Sequence, residues 1–137
     1  ASVSNTIGVA KPRIIAHSNI ESFCVSVSDP LDPLVLLSAI SLVQEQYGDS
    51  ILRIKGIVNI KDQEKPVVIH GVQGNLYPLT ELDSWPDDDH DSKLVFIVRA
   101  TVLEQIKYIF EQALKNPDES AIRYYQEVIS NAEQINQ

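Results

Sequence analysis

One cysteine in 137 residues, Cys24, leaves no partner for an internal disulfide and no set of thiolates for a zinc site. A lone thiol suits a reducing compartment, so a cytoplasmic location is expected. Glycine is scarce too, with five residues at Gly8, Gly48, Gly56, Gly71 and Gly74. None of them falls in a G-x-x-x-x-G-K-[ST], G-x-G-x-x-G or G-x-S-x-G pattern. Such loops need glycine so that backbone N–H groups can close on a phosphate or present a nucleophile, and nothing in this sequence supplies that geometry. Three histidines, His17, His70 and His90, stand far apart, and no Ser-His-acid set can be singled out. Basic residues are outnumbered, 11 against 19 acidic ones, for a net charge of −8. Nucleic acid and anionic membrane surfaces both call for a basic face, so neither is expected as the main partner. No apolar run reaches bilayer-spanning length, and no charged segment followed by an apolar core marks a secretory leader at the start. The chain opens Ala1-Ser2-Val3-Ser4 without a methionine, as expected of a piece of a longer protein.

What is present is ordinary globular material. Hydrophobic residues make up 44% and charged residues 22%, enough for one domain to bury a core without cross-links. Residues 1–16 are weakly patterned and are expected to be a linker or an irregular lead-in. Phe23, Val25 and Val27 then alternate with Ser22, Cys24 and Ser26, the period of a half-buried strand. Asp32 and Pro33 suit the N-cap and first position of a helix whose apolar residues Leu36, Ile40, Val43 and Tyr47 recur at helical spacing, with Gly48 as its stop. A second strand is predicted from Ile51 to about Ile60, with Leu52, Ile54, Val58 and Ile60 on one face. A polar turn over Lys61–Pro66 leads to a third strand, Val67 to His70, with a bend at Gly71 and Gly74. A loop rich in Pro and Asp precedes a fourth strand, Lys93–Arg99, whose unbroken run Leu94–Val98 predicts a central strand covered on both faces. Thr101 and Glu104 form a capping-box pattern ahead of a helix with Leu103, Ile106, Phe110 and Ala113 as its stripe. After Asn116-Pro117-Asp118, Ile122, Tyr125, Ile129 and Ala132 mark a third helix.

The order β-α-β-β-β-α plus a tail helix predicts an α+β fold: a four-stranded, mainly antiparallel sheet with two helices on one face. The first β-α-β unit is expected to cross over right-handed and the β-β-β run to form an antiparallel meander.

Few side chains stand out chemically. The Asp87-Asp88-Asp89-His90-Asp91 run offers Asp87, Asp89 and His90 as candidates for a divalent metal. The spacing matches no EF-hand, and a mobile, solvated loop of mutually repelling carboxylates is the plainer expectation. Trp85 is expected to pin that loop to the domain. His70 in an apolar strand reads first as a structural residue. Arg53 and Lys55, two apart on a strand, share the face opposite the core, where an acidic surface or a phosphate can meet them.

Four strings in order resemble one family. Leu52-Arg53-Ile54-Lys55-Gly56-Ile57-Val58 is similar to the R-x-K-G strand of the CobW C-terminal domain. His70-Gly71-Val72-Gln73 resembles its following H/Q-G-V-Q segment. Trp85 and then Ser92-Lys93-Leu94-Val95-Phe96-Ile97-Val98-Arg99 resemble its W and S-x-L-V-F-I-G-R elements, with Val98 where the family has glycine. The resemblance spans residues 17–115 and leaves 116–137 as an added helix. It implies an accessory, non-catalytic domain of a P-loop GTPase concerned with cobalamin synthesis or with zinc or cobalt delivery. GTP, magnesium and the metal are implied for a preceding GTPase domain and none for this segment. Arg53, Lys55, His70 and Arg99 are the expected interaction residues, facing that GTPase domain or a client metalloprotein. A small-ligand sensor and a dimerisation module are the alternatives.

Overall fold

A computed structural model of the chain describes residues 19–73, 75–76 and 79–135. The expected lead-in 1–16, His17 and the expected bend at Gly74 lie outside the described residues. The elements are β1 (Ile20–Val27), α1 (Pro33–Tyr47), β2 (Ile51–Val58), β3 (Val67–Val72), β4 (Asn75–Leu76), β5 (Thr80–Glu81), β6 (Ser92–Arg99), α2 (Leu103–Lys115) and α3 (Glu119–Ile135).

The fold is α+β, with a wholly antiparallel sheet in the order β1-β6-β2-β3-β4, and β5 also pairs with β3. Five strand positions therefore stand where four were expected, because two short strands share the outer edge of β3. The expected meander does not form. β2 and β3 make a hairpin, but β6 leaves it and inserts between β1 and β2, so that β1 and β2 run parallel without touching. The apolar run of β6 favours the middle of the sheet, and the long loop before it gives the chain the reach to get there.

Alternation decides which side chains enter the core. Phe23 and Val25 of β1, Ile54 and Val58 of β2, Val67 and Ile69 of β3, and Leu94, Phe96 and Val98 of β6 are buried in one cluster. Leu36, Ala39, Ile40 and Val43 of α1 and Ile106 and Phe110 of α2 close over them, so both helices lie on the same face. Phe96 holds the centre. Its ring stacks on Phe23 at 4.8 Å and meets Phe110 edge-on at 4.8 Å. Such aromatic pairs contribute beyond the area they bury.

Gly56 faces this core directly opposite Leu94. A Cβ there would lie 2.2 Å from the Lys93 carbonyl oxygen and 2.9 Å from the Leu94 Cα. Both are backbone atoms, so neither can swing away, and only glycine lets β2 and β6 approach this closely.

Three local expectations change. A register shift between Ile51 and Arg53 makes Ile51 rather than Leu52 the buried residue, with Leu52 half-buried at the irregularity. β2 ends at Val58, and Ile60 instead bridges to Leu31, whose N–H donates to the Asn59 carbonyl at 2.8 Å. Thr101 does not cap α2. The Ala100 N–H donates to the Asn19 carbonyl at 2.7 Å, prolonging the β1–β6 ladder. The chain then turns through a short 3-10 segment, Ala100–Val102, which leaves Val102 at the N-cap without a side-chain bond. By contrast Asp32 caps α1 as expected, its Oδ1 accepting from the Leu34 N–H at 2.8 Å, with Pro33 as the first helical residue. α3 begins the same way, Asp118 Oδ1 accepting from the Ser120 N–H at 2.9 Å.

Two substitutions test this account. Gly56→Ala should destabilise the domain by about 1–3 kcal/mol through the forced separation of β2 and β6, read as a lowered midpoint in urea unfolding. Asp32→Ala should cost about 1 kcal/mol, the usual loss of an N-cap, with the sheet unchanged by circular dichroism.

Candidate functional site

The side of the sheet away from the helices is the part of the molecule that packing does not explain. Register places Ile20, Ser22, Cys24 and Ser26 of β1 there. Lys93, Val95, Ile97 and Arg99 of β6 lie beside them, then Arg53, Lys55 and Ile57 of β2, and Val68, His70 and Val72 of β3. Lys55 sits between His70 on one side and Val95 on the other, and Arg53 lies between Val72 and Ile97. Arg53, Lys55, His70 and Arg99 are all exposed and all on this face, so the fold gathers the four expected interaction residues on one surface.

Two features of the face escaped the sequence argument. Lys93 joins the cations, since it is two residues from Val95 and four from Ile97, in phase with Arg99. Between the cations lies an apolar centre of Ile57, Val68, Val72, Val95 and Ile97, each half-buried. β6 was expected to be covered on both faces. Its core side is covered, but its other side carries exposed Lys93 and Arg99 and only half-buried Val95 and Ile97. Reading residues 93, 95, 97 and 99 at period two finds this face; the unbroken apolar run hides it. Among the described residues, the strand positions of this face hold Arg53, Lys55, Lys93 and Arg99 and no aspartate or glutamate, with Asp89 reaching its edge to pair with Lys93, in a chain whose net charge is −8.

The acidic loop is exposed from Asp87 to His90, as expected of a solvated segment, and its carboxylates also bond to its own backbone. Asp87 Oδ1 accepts from the Asp89 N–H and Asp89 Oδ1 from the Asp91 N–H, each at 2.9 Å, which makes two successive Asx turns. Asp89 also pairs with Lys93. That hydrogen bond, followed by the Asp91 amide, holds the Asp89 carboxyl below its ordinary value, and the same bond raises the Lys93 ammonium. Trp85 does pin the loop. Its Nε1 donates to the Glu64 carbonyl at 3.0 Å, and its ring stacks on His90 with centroids 4.5 Å apart. Asn59 adds a second tie, its N–H donating to Ser92 Oγ at 2.8 Å and its Nδ2 to the His90 carbonyl at 3.2 Å. Asp87 Oδ1 and both Asp89 oxygens thus accept from backbone amides or Lys93, and the His90 ring lies flat on the indole. Among the described residues no group of three or more His, Cys, Asp or Glu side chains is placed to hold a metal ion. No described helix is long and apolar enough to cross a membrane.

Comparison with known proteins fits this fold. The profile of the cobalamin synthesis protein cobW C-terminal domain matches residues 20–114. Two solved structures resemble the chain at 28% sequence identity and a TM-score of 0.59: the Zn(II)-bound YjiA GTPase from E. coli and a Zn(II)-bound triple mutant of YjiA GTPase. Each alignment covers 75% of this chain and 33% of the other, so the chain spans about one third of those GTPases. The matched span runs from the first residue of β1 almost to the end of α2 and leaves α3 outside it. With its split β-α-β core, its Gly56 crossing and a profile match over most of its length, the chain belongs to the CobW C-terminal domain family.

Proposed function

We propose that this domain is an accessory, non-catalytic module of a GTP-dependent metal-handling protein, and that its open sheet face is the surface by which it acts. The observation that carries the proposal is the segregation of charge. Four cations share one face of an acidic domain whose described strand positions carry no carboxylate there, around an apolar centre that the described helices do not cover; only Asp89 reaches its edge, at Lys93. A cationic rim selects and orients an acidic partner, and a half-buried apolar centre supplies contact area once the two meet. The partner is the GTPase domain of the same protein, whose bound nucleotide and acidic magnesium ligands present negative charge, with a client metalloprotein as the alternative. Zinc or cobalt delivery, or cobalamin synthesis, is the setting that the family and the zinc-bound GTPase relatives support. GTP, magnesium and the transported metal belong to the remainder of the parent. Arg53, Lys55, Arg99 and His70 are contact residues in this account, and Lys93 joins them. A homodimer through the same face competes with it and is separated by light scattering.

Two measurements follow. The isolated chain should melt cooperatively, with no shift on adding GTP and magnesium and no turnover. In the full-length parent, Arg53→Ala/Lys55→Ala should leave the melting point within a few degrees, because exposed charges contribute only about 0–1 kcal/mol to stability. GTPase rate or metal transfer should change severalfold. An unchanged rate in a folded double variant removes the assignment of this face.

A further inference from the structure

A second surface, distinct from the open face, lies along β1. Among the described residues this strand is an edge of the sheet and pairs only with β6. Its outward backbone groups can be identified. The Ala100 N–H donates to the Asn19 carbonyl, so residue 19 directs its backbone toward β6. Bonding alternates along an antiparallel pair, so Glu21, Phe23, Val25 and Val27 also bond to β6. Ile20, Ser22, Cys24 and Ser26 then turn their N–H and C=O groups to the outside.

Edges of this kind are usually blunted by lysine, proline, a bulge or shortness. The opposite edge of this sheet is blunted: β4 and β5 have two residues each. β1 has eight residues, an unbroken register with β6, no lysine or proline, and a single charge, Glu21.

A groove of about 450 Å³ opens beside the last residues of this strand, between the β1–α1 loop and the end of α2. Val25, Val27, Leu31, Val35 and Leu114 make its apolar lining. Its charged groups are Asp29, Asp32 and Glu111 against Lys115 alone. An edge strand with a side-chain groove next to it is the arrangement in which main-chain bonds supply affinity and the groove supplies selectivity.

We infer that β1 accepts an extended peptide as an added strand, and that the peptide carries a lysine or arginine two residues from an apolar one, so that both side chains point to the groove side of the sheet. The apolar side chain enters the groove, and the cation faces Asp29 and Glu111. This partner is opposite in charge to the one assigned to the open face, so the two surfaces discriminate between different segments.

The test is a backbone-amide NMR titration of the 137-residue chain with two acetylated heptapeptides that have threonine at the odd positions, with valine, lysine and valine between them in one and valine, glutamate and valine in the other. The lysine peptide should give saturable shifts at the Ser22, Cys24 and Ser26 amides, and the glutamate peptide none. Ser22→Pro removes an outward N–H without touching the bonds to β6, a place where an edge strand tolerates proline. It should weaken binding by on the order of tenfold, as loss of a ladder bond predicts. Glu111→Lys should weaken the lysine peptide as well. Lysine peptides N-methylated on alternate residues make the test independent of protein folding: one methylation phase should abolish binding and the other preserve it. Shifts centred on the Arg53 face or the 87–91 loop, or equal binding of both methylated forms, would overturn the inference. So would a peptide-free dimer, concentration-dependent by light scattering and lost in Ser22→Pro, because it would put a second copy on this edge.

Discussion

The insertion of β6 between β1 and β2 is the constraint on which the rest of this domain depends. It joins the first strand to the last across most of the chain, so neither the helices nor the hairpin has a core until it is made. Two features permit it. Gly56 lets the β2 backbone come within contact of the Lys93 carbonyl and the Leu94 Cα, where any side chain would collide. Phe96 then stacks on Phe23 of the neighbouring strand and meets Phe110 of the helix above edge-on, tying three distant segments at one point. Ser92 at the strand's start is fully buried yet satisfied, its hydroxyl accepting from the Asn59 N–H, so the strand begins without an orphaned polar group.

Because both core helices sit on one face, the other is left to be chosen for something besides stability. The apolar residues there are neither fully buried nor fully exposed, and the cations stand around them. Self-repulsion among Arg53, Lys55, Lys93 and Arg99 is unfavourable for an isolated domain, and among the described residues only Lys93 of the four is in an ion pair, with Asp89. That cost is offset when a negative surface covers the face. α3 shows a related imbalance. Ile122 and Tyr125 are half-buried, but Tyr124, Val128, Ile129 and Ile135 are exposed, and no residue of this helix is buried.

Much of this was legible from periodicity, and the failures have physical causes. β1, α1 and α2 were visible because each buries one stripe, and α1 also carries the Asp32-Pro33 start. The place of β6 in the middle of the sheet was legible from its apolar run, but its neighbours were not, since strand order depends on which distant edge it meets. The register shift at Leu52 was invisible because Ile51, Leu52 and Ile54 are equally apolar, and hydrophobicity alone cannot say which one the core takes. The capping box at Thr101 failed through tertiary override: the bond from Ala100 to Asn19 extends the ladder past the point where a cap could form. In the acidic run, the exposure of Asp87 to His90 was legible from the charge, but the bonds that Asp87 and Asp89 accept from amides two residues on were not, because they depend on local backbone turns.

The family-like strings themselves divide along the same line. In Leu52–Val58, Ile54 and Val58 fill the core and Gly56 permits the strand crossing, so packing accounts for them. In Ser92–Arg99, Ser92, Leu94, Phe96 and Val98 are all buried. In His70–Gln73, Gly71 is buried opposite Ile54, and Gln73, with a positive φ of 44°, bonds back to the Leu52 carbonyl and turns the chain. Trp85 holds the loop to the β2–β3 turn. What packing leaves unexplained in these strings is Arg53, Lys55, His70, Lys93 and Arg99, all on a single face. A resemblance carried mostly by core residues identifies a fold, whereas the exposed remainder carries whatever the fold is for. Here that remainder is cationic, continuous and turned away from every described helix, which is why function is sought there rather than in the acidic loop.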